Sequence, residues 1–509
     1  MKVLLASLPI LVVLGLMLGL RWPAFRAGMV GAAAALLVAG WGFGFGVEVL
    51  PQFGFVGAAS GAALEAGFLA ATILWIIFPA LCIHELQTRT GALDRLKASM
   101  ARVTDDPRLL ALVVAWFFAL FMEGAAGFGT SAALAAPFLL AAGFSPVQAV
   151  TIALVGHAVG VSFGAVGTPI LPQAASTGLA GGDIAAETAA YHLILGWIMP
   201  LLVVWLAPRP ASGSMGLPLL WGLGAGAAFL LPMYGIARFV GPELPTLGGS
   251  LVGGALFVAI LLGRRRRPQA GPPASDASAV PRGGVARAGA PYLILVAAVL
   301  ATRLVEPVRS VLGGIQIAWN IEPFSGSFAP LFHPGTMLLI GFFAGAAAQS
   351  ATRGQIVGAM RAAARRLGPV TIALFAMLTL SRVMVYAGMI DTLAAASADA
   401  AGTAWPLLAP FVGALGTFVT GSATASNVLF TDFQVATAER LGLPVLPLVA
   451  AQGFGAAVGN IVCPHNVIAA GATVALAGRE SDVLAKTLLP ALAYAALGGL
   501  LAFAFFTVG

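Results

Sequence analysis

Among the side chains able to carry charge inside or beside apolar segments, Glu123, His157, Arg382 and Asp432 are the candidates for chemistry. Glu123 ends an apolar run and opens a glycine-rich break, Gly124-Ala125-Ala126-Gly127-Phe128-Gly129-Thr130-Ser131. A carboxylate at membrane depth is costly unless it is paired, hydrated or protonated, so such an acid suits the uptake and release of a proton. The plain alternative is an interfacial carboxylate that caps exposed helix N–H groups. Arg382, well inside the apolar run from Thr371 to Tyr386, could pair with a ligand carboxylate in a bidentate fork. Its alternative is to snorkel to the nearer membrane surface. The imidazole of His157 could relay protons, although a lone histidine is more often a buried hydrogen-bonding residue. Asp432, beside Thr431 and near Gln434, is a second acid for proton coupling, with an interfacial position equally open.

Small polar residues cluster in two places. Gly127, Gly129, Thr130 and Ser131 would expose backbone N–H groups where a half-helix begins, and such a terminus attracts an anion. Thr420, Ser422, Thr424, Ser426 and Asn427 repeat the pattern later in the chain. Each such residue alone also serves ordinary helix packing, so only the doubled clustering carries weight. A proline follows each at a similar distance: Pro169 is 48 residues after Phe121, and Pro464 is 46 after Phe418. Paired interruptions in corresponding parts of two halves point to a secondary carrier's binding site, because unwound backbone is tolerated at membrane depth only around a cavity. Aligning Phe121 with Phe418 sets Thr420 opposite Glu123, so only one of two similar breaks holds an ionisable group.

Enzyme chemistry has little support. Neither Cys463 with His465 nor Glu123 with His157 has a recognisable spacing or a third ligand. No HExxH, P-loop or dinucleotide fingerprint occurs, so no catalytic residue, metal or cofactor is expected, and an ATP-driven pump is disfavoured.

The elements that must position these residues follow from composition. Of 509 residues, 60% are hydrophobic and 9% charged, and the mean hydropathy is +0.98. A soluble domain carries about 25% charged residues, so this is an all-α, polytopic membrane protein. The net charge of +7 sits in short loops without interleaved aromatics, which reads as topology and contact with lipid rather than nucleic-acid binding. Cys82 and Cys463 lie in apolar context and read as small buried hydrophobes. The run from Val3 to Leu20 resembles a signal-peptide core but lacks a strong basic start and a convincing cleavage site, and reads as a first span.

A span needs about 20 apolar residues. Windows at 3–20, 24–44, 66–87, 107–123, 146–168, 190–207, 217–237, 244–263, 289–304, 334–351, 369–388, 404–419, 443–462 and 484–507 qualify or come close. Shorter pieces at 131–143 and 428–436 read as half-helices or re-entrant hairpins, giving about 12–16 crossings. The positive-charge rule places Arg21 and Arg26, the run Arg89–Arg108, the run Arg264–Arg267, and Arg353 to Arg366 in the cytoplasm, with both termini outside if each short piece crosses. The loop before 66–87 has no Lys or Arg and the loop after it has five; around 369–388 the order reverses, four before and none after. Equivalent helices thus run in opposite directions, an inverted-topology repeat. The expected divisions are 1–207 and 289–509 as repeat halves, 208–263 as connecting spans, and 264–288 as a disordered basic cytoplasmic loop. Residues 305–333 form an external loop to which no role is assigned.

Two strings carry a resemblance. Glu-Gly-Ala-Ala-Gly-Phe-Gly-Thr at 123–130, with Ala-Ala-Pro-Phe-Leu at 135–139, resembles the lactate permease family, as does Thr420–Phe430 with Ala450-Ala451-Gln452 and Gly478-Arg479-Glu480. The likeness in layout covers nearly the whole chain. It implies a symporter of the bacterial cytoplasmic membrane that imports L-lactate, D-lactate or glycolate with protons. Substrate would then sit between the two breaks, its carboxylate near Gly127 to Thr130, Ser422 to Asn427 and Arg382, with Glu123 as first choice for the proton. Cys463-Pro464-His465-Asn466 matches no family role, so none is carried to Cys463 or His465.

Overall fold

A computed structural model describes residues 1–20, 22–100, 103–127, 129–208, 215–264, 284–474, 476 and 479–508. Among them, eleven helices are long and apolar enough to cross a membrane, or twelve if Gly181–Leu195 and Ile198–Leu206, bent by 46°, form one span. The basic loop expected at 264–288 lies outside the described residues over 265–283, and its end is helical instead, since a helix runs Gly284–Leu304. The external loop is not wholly irregular either: Ile317–Ile321 and Phe324–Phe328 form a small antiparallel hairpin.

Each half contains a helical hairpin followed by a broken helix. In the first, Pro107–Ala125 is followed, past Gly127 and Gly129, by Thr130–Ala141. The chain then enters Pro146–His157, tightens to a 3-10 turn over Ala158–Phe163, breaks, and resumes at Ile170–Thr177. In the second, Trp405–Thr420 turns at Gly421 and Ser422 into Ala423–Leu441, and Val445–Gly459 breaks before Pro464–Ala472. The short apolar pieces at 131–143 and 428–436 therefore fall on the second arms of these hairpins. Loop charges alternate consistently when both hairpins return to the face they left.

Corresponding helices of the two halves pair antiparallel. Along Gly54–Arg89 and Arg353–Tyr386, Gln355 Nε2 donates to the Arg89 carbonyl at 3.0 Å, Arg366 pairs with Glu85 at 3.0 Å, and Arg382 pairs with Glu65 at 3.5 Å. The broken helices do the same: His157 meets Asn460 at 2.9 Å, and Ser162 donates to the Gly453 carbonyl at 3.3 Å. The inverted repeat read from loop charges is thus visible as two residue ladders of opposite direction. The two main apolar cores each draw on both halves, so the halves are repeats along the chain that interlock in space.

Glycine lets hairpin and broken helix meet in each half. A Cβ on Gly156 would collide with the Ala115 carbonyl, and one on Gly459 with the Ala414 carbonyl. Backbone cannot give way there as a side-chain tip can. Gly459→Ala is expected to lower stability by about 1–3 kcal/mol, read as a fall in melting temperature of the detergent-solubilised protein.

Candidate functional site

Four chain breaks converge on one cavity. It is lined by Glu123 and Gly127 of the first hairpin, Gly164, Ala165, Thr168 and Pro169 of the first broken helix, Gly421 to Thr424 of the second hairpin, and Asn460 of the second broken helix. Its volume is 20 Å³, room for about one water. The backbone around it is held in left-handed conformations at Gly127 (φ 56°), Gly421 (φ 77°), Ala165 (φ 42°) and Val166 (φ 56°). A β-branched residue at positive φ is strained, and such strain persists where the surrounding structure over-determines it.

The breaks also lock one another. Gly127 packs on the Ala165 backbone and Gly421 on the ring of His465, while Gly129 faces the Asn466 side chain. Asn427 Nδ2 donates to the Pro169 carbonyl at 2.9 Å.

Glu123 is 3% exposed and the sole charged side chain among the cavity-lining residues. Ser131 Oγ, from the opposite arm of the hairpin, donates to its Oε2 at 2.7 Å. The other oxygen faces Gly164, where any side chain would intrude. His157 is fully buried one bond behind the cavity wall, its Nδ1 at 2.7 Å from the Ala153 carbonyl and its Nε2 at 2.9 Å from Asn460 Oδ1. Asn466 Nδ2 donates to the same oxygen at 2.8 Å. With the amide so oriented, Asn460 Oδ1 is an acceptor toward the ring.

At the second tip, Ser422 caps its own helix by accepting from Ala425 N–H at 3.3 Å. Ala423 and Thr424 belong to the first helical turn, whose N–H groups have no intrahelical acceptor. This end of the cavity offers donors to an anion.

Several expected site residues fall elsewhere. Ser131 touches Glu123 but, like Gly129, does not line the cavity; the side chain of Thr130 lies outside the described residues. Ser426 and Asn427 do not line it either: they bind the Gly413 and Pro169 carbonyls and accept from Gln452, tying the hairpin to both broken helices. Arg382 and Asp432 are away from the cavity because each has the other as partner, at 2.5 Å. Conversely, Asn460, Thr168, Gly164 and Ala165 were not singled out from the sequence. The available signal was positional: Asn460 precedes Pro464 much as Gly164 precedes Pro169.

A wide vestibule of 1030 Å³ reaches the second tip from one side and shares Gly421, Ser422 and Thr424 with the cavity. Its walls include Trp22, Pro23, Pro369, His465 and Glu480; Trp22 and Pro23 precede Arg26 in the chain, and Pro369 follows Arg366.

Two inverted hairpin and broken-helix units around one polar cavity in a multi-pass bundle define a membrane transporter. The sequence profile of L-lactate permease matches residues 2–509, and the chain belongs to that family. It is similar to an L-lactate permease of Streptococcus iniae, 31% identical over 87% of this chain and 92% of the relative. It is also similar to an L-lactate permease of Salmonella typhimurium, at 29% over 84% and 83% of the two chains. The glycolate permease GlcA of Escherichia coli is 28% identical, again over 84% and 83%. Among solved structures, MtrF of Neisseria gonorrhoeae, described as illuminating a class of antimetabolite efflux pumps, shares the fold with a TM-score of 0.51. It is 15% identical over 95% of this chain and 94% of its own. Family and fold together make this a multi-pass protein of a bacterial cytoplasmic membrane.

Proposed function

We propose that the protein imports small 2-hydroxymonocarboxylates, L-lactate, D-lactate or glycolate, by proton symport. The observation that carries the reading is a single buried acid, Glu123, in a cavity whose opposite end is a helix N-terminus. A substrate carboxylate would meet the Ala423 and Thr424 N–H groups and the hydroxyls of Ser422 and Thr424. Its 2-hydroxyl would reach Thr168 or Asn460. The names of the L-lactate and glycolate permeases to which the chain is similar supply the substrate class.

Coupling follows from charge. A bound carboxylate and ionised Glu123 would place two like charges in one small, dry space, so anion binding favours a proton on Glu123. Loss of the anion to the cytoplasm then releases that proton. Lactate is several times larger than the water-sized space of the present state, so the tips must part to admit it. That is the movement alternating access needs.

Uptake of labelled L-lactate into proteoliposomes tests this, under a pH gradient, a sodium gradient or neither. Faster uptake with the interior alkaline, and none of the stimulation with sodium alone, is the expected result. Dependence on sodium would overturn proton coupling, and failure to move any short hydroxy acid would overturn the substrate class.

A further inference from the structure

On the side of the cavity away from the vestibule, six polar side chains from four helices bind one another. Arg382 Nη2 donates to Asp432 Oδ2 at 2.5 Å and to Ser176 Oγ at 3.0 Å, and Nη1 donates to Glu65 Oε1 at 3.5 Å. Ser381 Oγ donates to the same Asp432 oxygen at 3.0 Å, and Tyr386 OH donates to Glu65 Oε2 at 2.5 Å. Arg382, Glu65 and Asp432 have side chains only 11%, 17% and 10% exposed. Above them, Phe324 of the small β-hairpin packs on Tyr386 with ring centroids 4.9 Å apart.

Three helices agree on where this cluster lies. On Arg353–Tyr386, the vestibule is lined as far as Met377, and Arg382 is five residues or about 8 Å further on. On Ala423–Leu441 it ends at Ala425, and Asp432 is seven residues or about 11 Å beyond. On the antiparallel Gly54–Arg89, Glu65 is twelve residues or about 18 Å from Ile77. The vestibule opens among the Arg-rich loops, the cytoplasmic face by the positive-charge rule. The cluster therefore closes the outward side while the inward side stands open.

Its chemistry matches the substrate as well. Arg382 Nε is buried without an acceptor, so the guanidinium has a spare donor. A guanidinium flanked by the hydroxyls of Ser176, Ser381 and Tyr386 is a set that recognises a carboxylate next to a hydroxyl, and Asp432 supplies the carboxylate in the closed state. We infer that Arg382 is the outward-side capture residue for the monocarboxylate: its pairs with Asp432 and Glu65 seal the outer path, and the incoming anion takes the place of Asp432. This rests on the functional reading above for the identity of the anion, but the seal itself does not.

The test has two readouts. In right-side-out vesicles, a membrane-impermeant maleimide applied outside is expected to label Ser176→Cys slowly, and about tenfold faster when Asp432→Asn is added. The chain without Ser176→Cys gives the background from the buried Cys82 and Cys463. In oriented proteoliposomes, Asp432→Asn should shift the population outward and lower the external KM for L-lactate relative to the internal one, whereas Arg382→Gln should raise it, and Arg382→Lys should restore part of the loss. Unchanged labelling overturns the seal. A parallel shift of KM in Asp432→Asn and Arg382→Gln overturns capture. If labelling accelerates while the unsubstituted protein moves no hydroxy acid, the seal stands, and both capture and the substrate class fall.

Discussion

Glu123→Gln is expected to abolish concentrative uptake and leave exchange. A one-unit pH gradient supports about tenfold accumulation of an anion that crosses with one proton. The unsubstituted protein should approach that ratio, and Glu123→Gln should settle at equal concentrations on both sides. Glutamine keeps an acceptor for Ser131 Oγ and the volume that fits against Gly164, so the hairpin tip is preserved. Labelled lactate should still exchange for unlabelled, because that cycle needs no net proton. Accumulation at the unsubstituted level would remove Glu123 from coupling.

The second large effect is expected at Asn460. Its side-chain oxygen accepts from both His157 Nε2, at 2.9 Å, and Asn466 Nδ2, at 2.8 Å, while the residue lines the cavity. Asn460→Leu strands two buried donors, each at a cost of about 1–3 kcal/mol. Initial rates of lactate counterflow should fall by about tenfold or more, together with a lower melting temperature. Asn460→Asp keeps an acceptor for both donors but adds a negative charge beside Glu123 and the substrate. It should melt near the unsubstituted protein and bind the anion more weakly, a rise in KM. Normal counterflow in Asn460→Leu would place the substrate elsewhere.

The architecture was legible because membrane physics leaves few choices. Apolar windows mark spans, and the reversal of loop charge around 66–87 and 369–388 marked the inversion that the antiparallel pairing of Glu65 with Arg382 and of Arg89 with Gln355 makes visible. Hairpins were harder, because a hairpin arm such as Thr130–Ala141 is as apolar as a short span and composition does not record where the chain turns back. Within the site, Glu123 was legible from its charge, and the tips from their glycines. Asn460 and Thr168 were not, because neither is charged: Asn460 is placed by its contact with His157 of the other half, and Thr168 by its bond to the Ala165 carbonyl within the break. Arg382 was legible as an intramembrane cation, but its partners were not: Glu65 is 317 residues away and Asp432 is 50. A sequence shows that a buried charge needs a partner without showing which acid folding brings to it.

The central claim is that a proton and a hydroxy acid share the cavity where the four breaks meet. Lumenal pH in proteoliposomes carrying a trapped indicator tests it most directly, after external L-lactate is added with no imposed gradient, with protein-free vesicles to subtract diffusion of the undissociated acid. Protein-dependent acidification of the lumen that tracks lactate entry and is lost in Glu123→Gln is the expected result. Lactate entry without acidification, or acidification undiminished in Glu123→Gln, would contradict it.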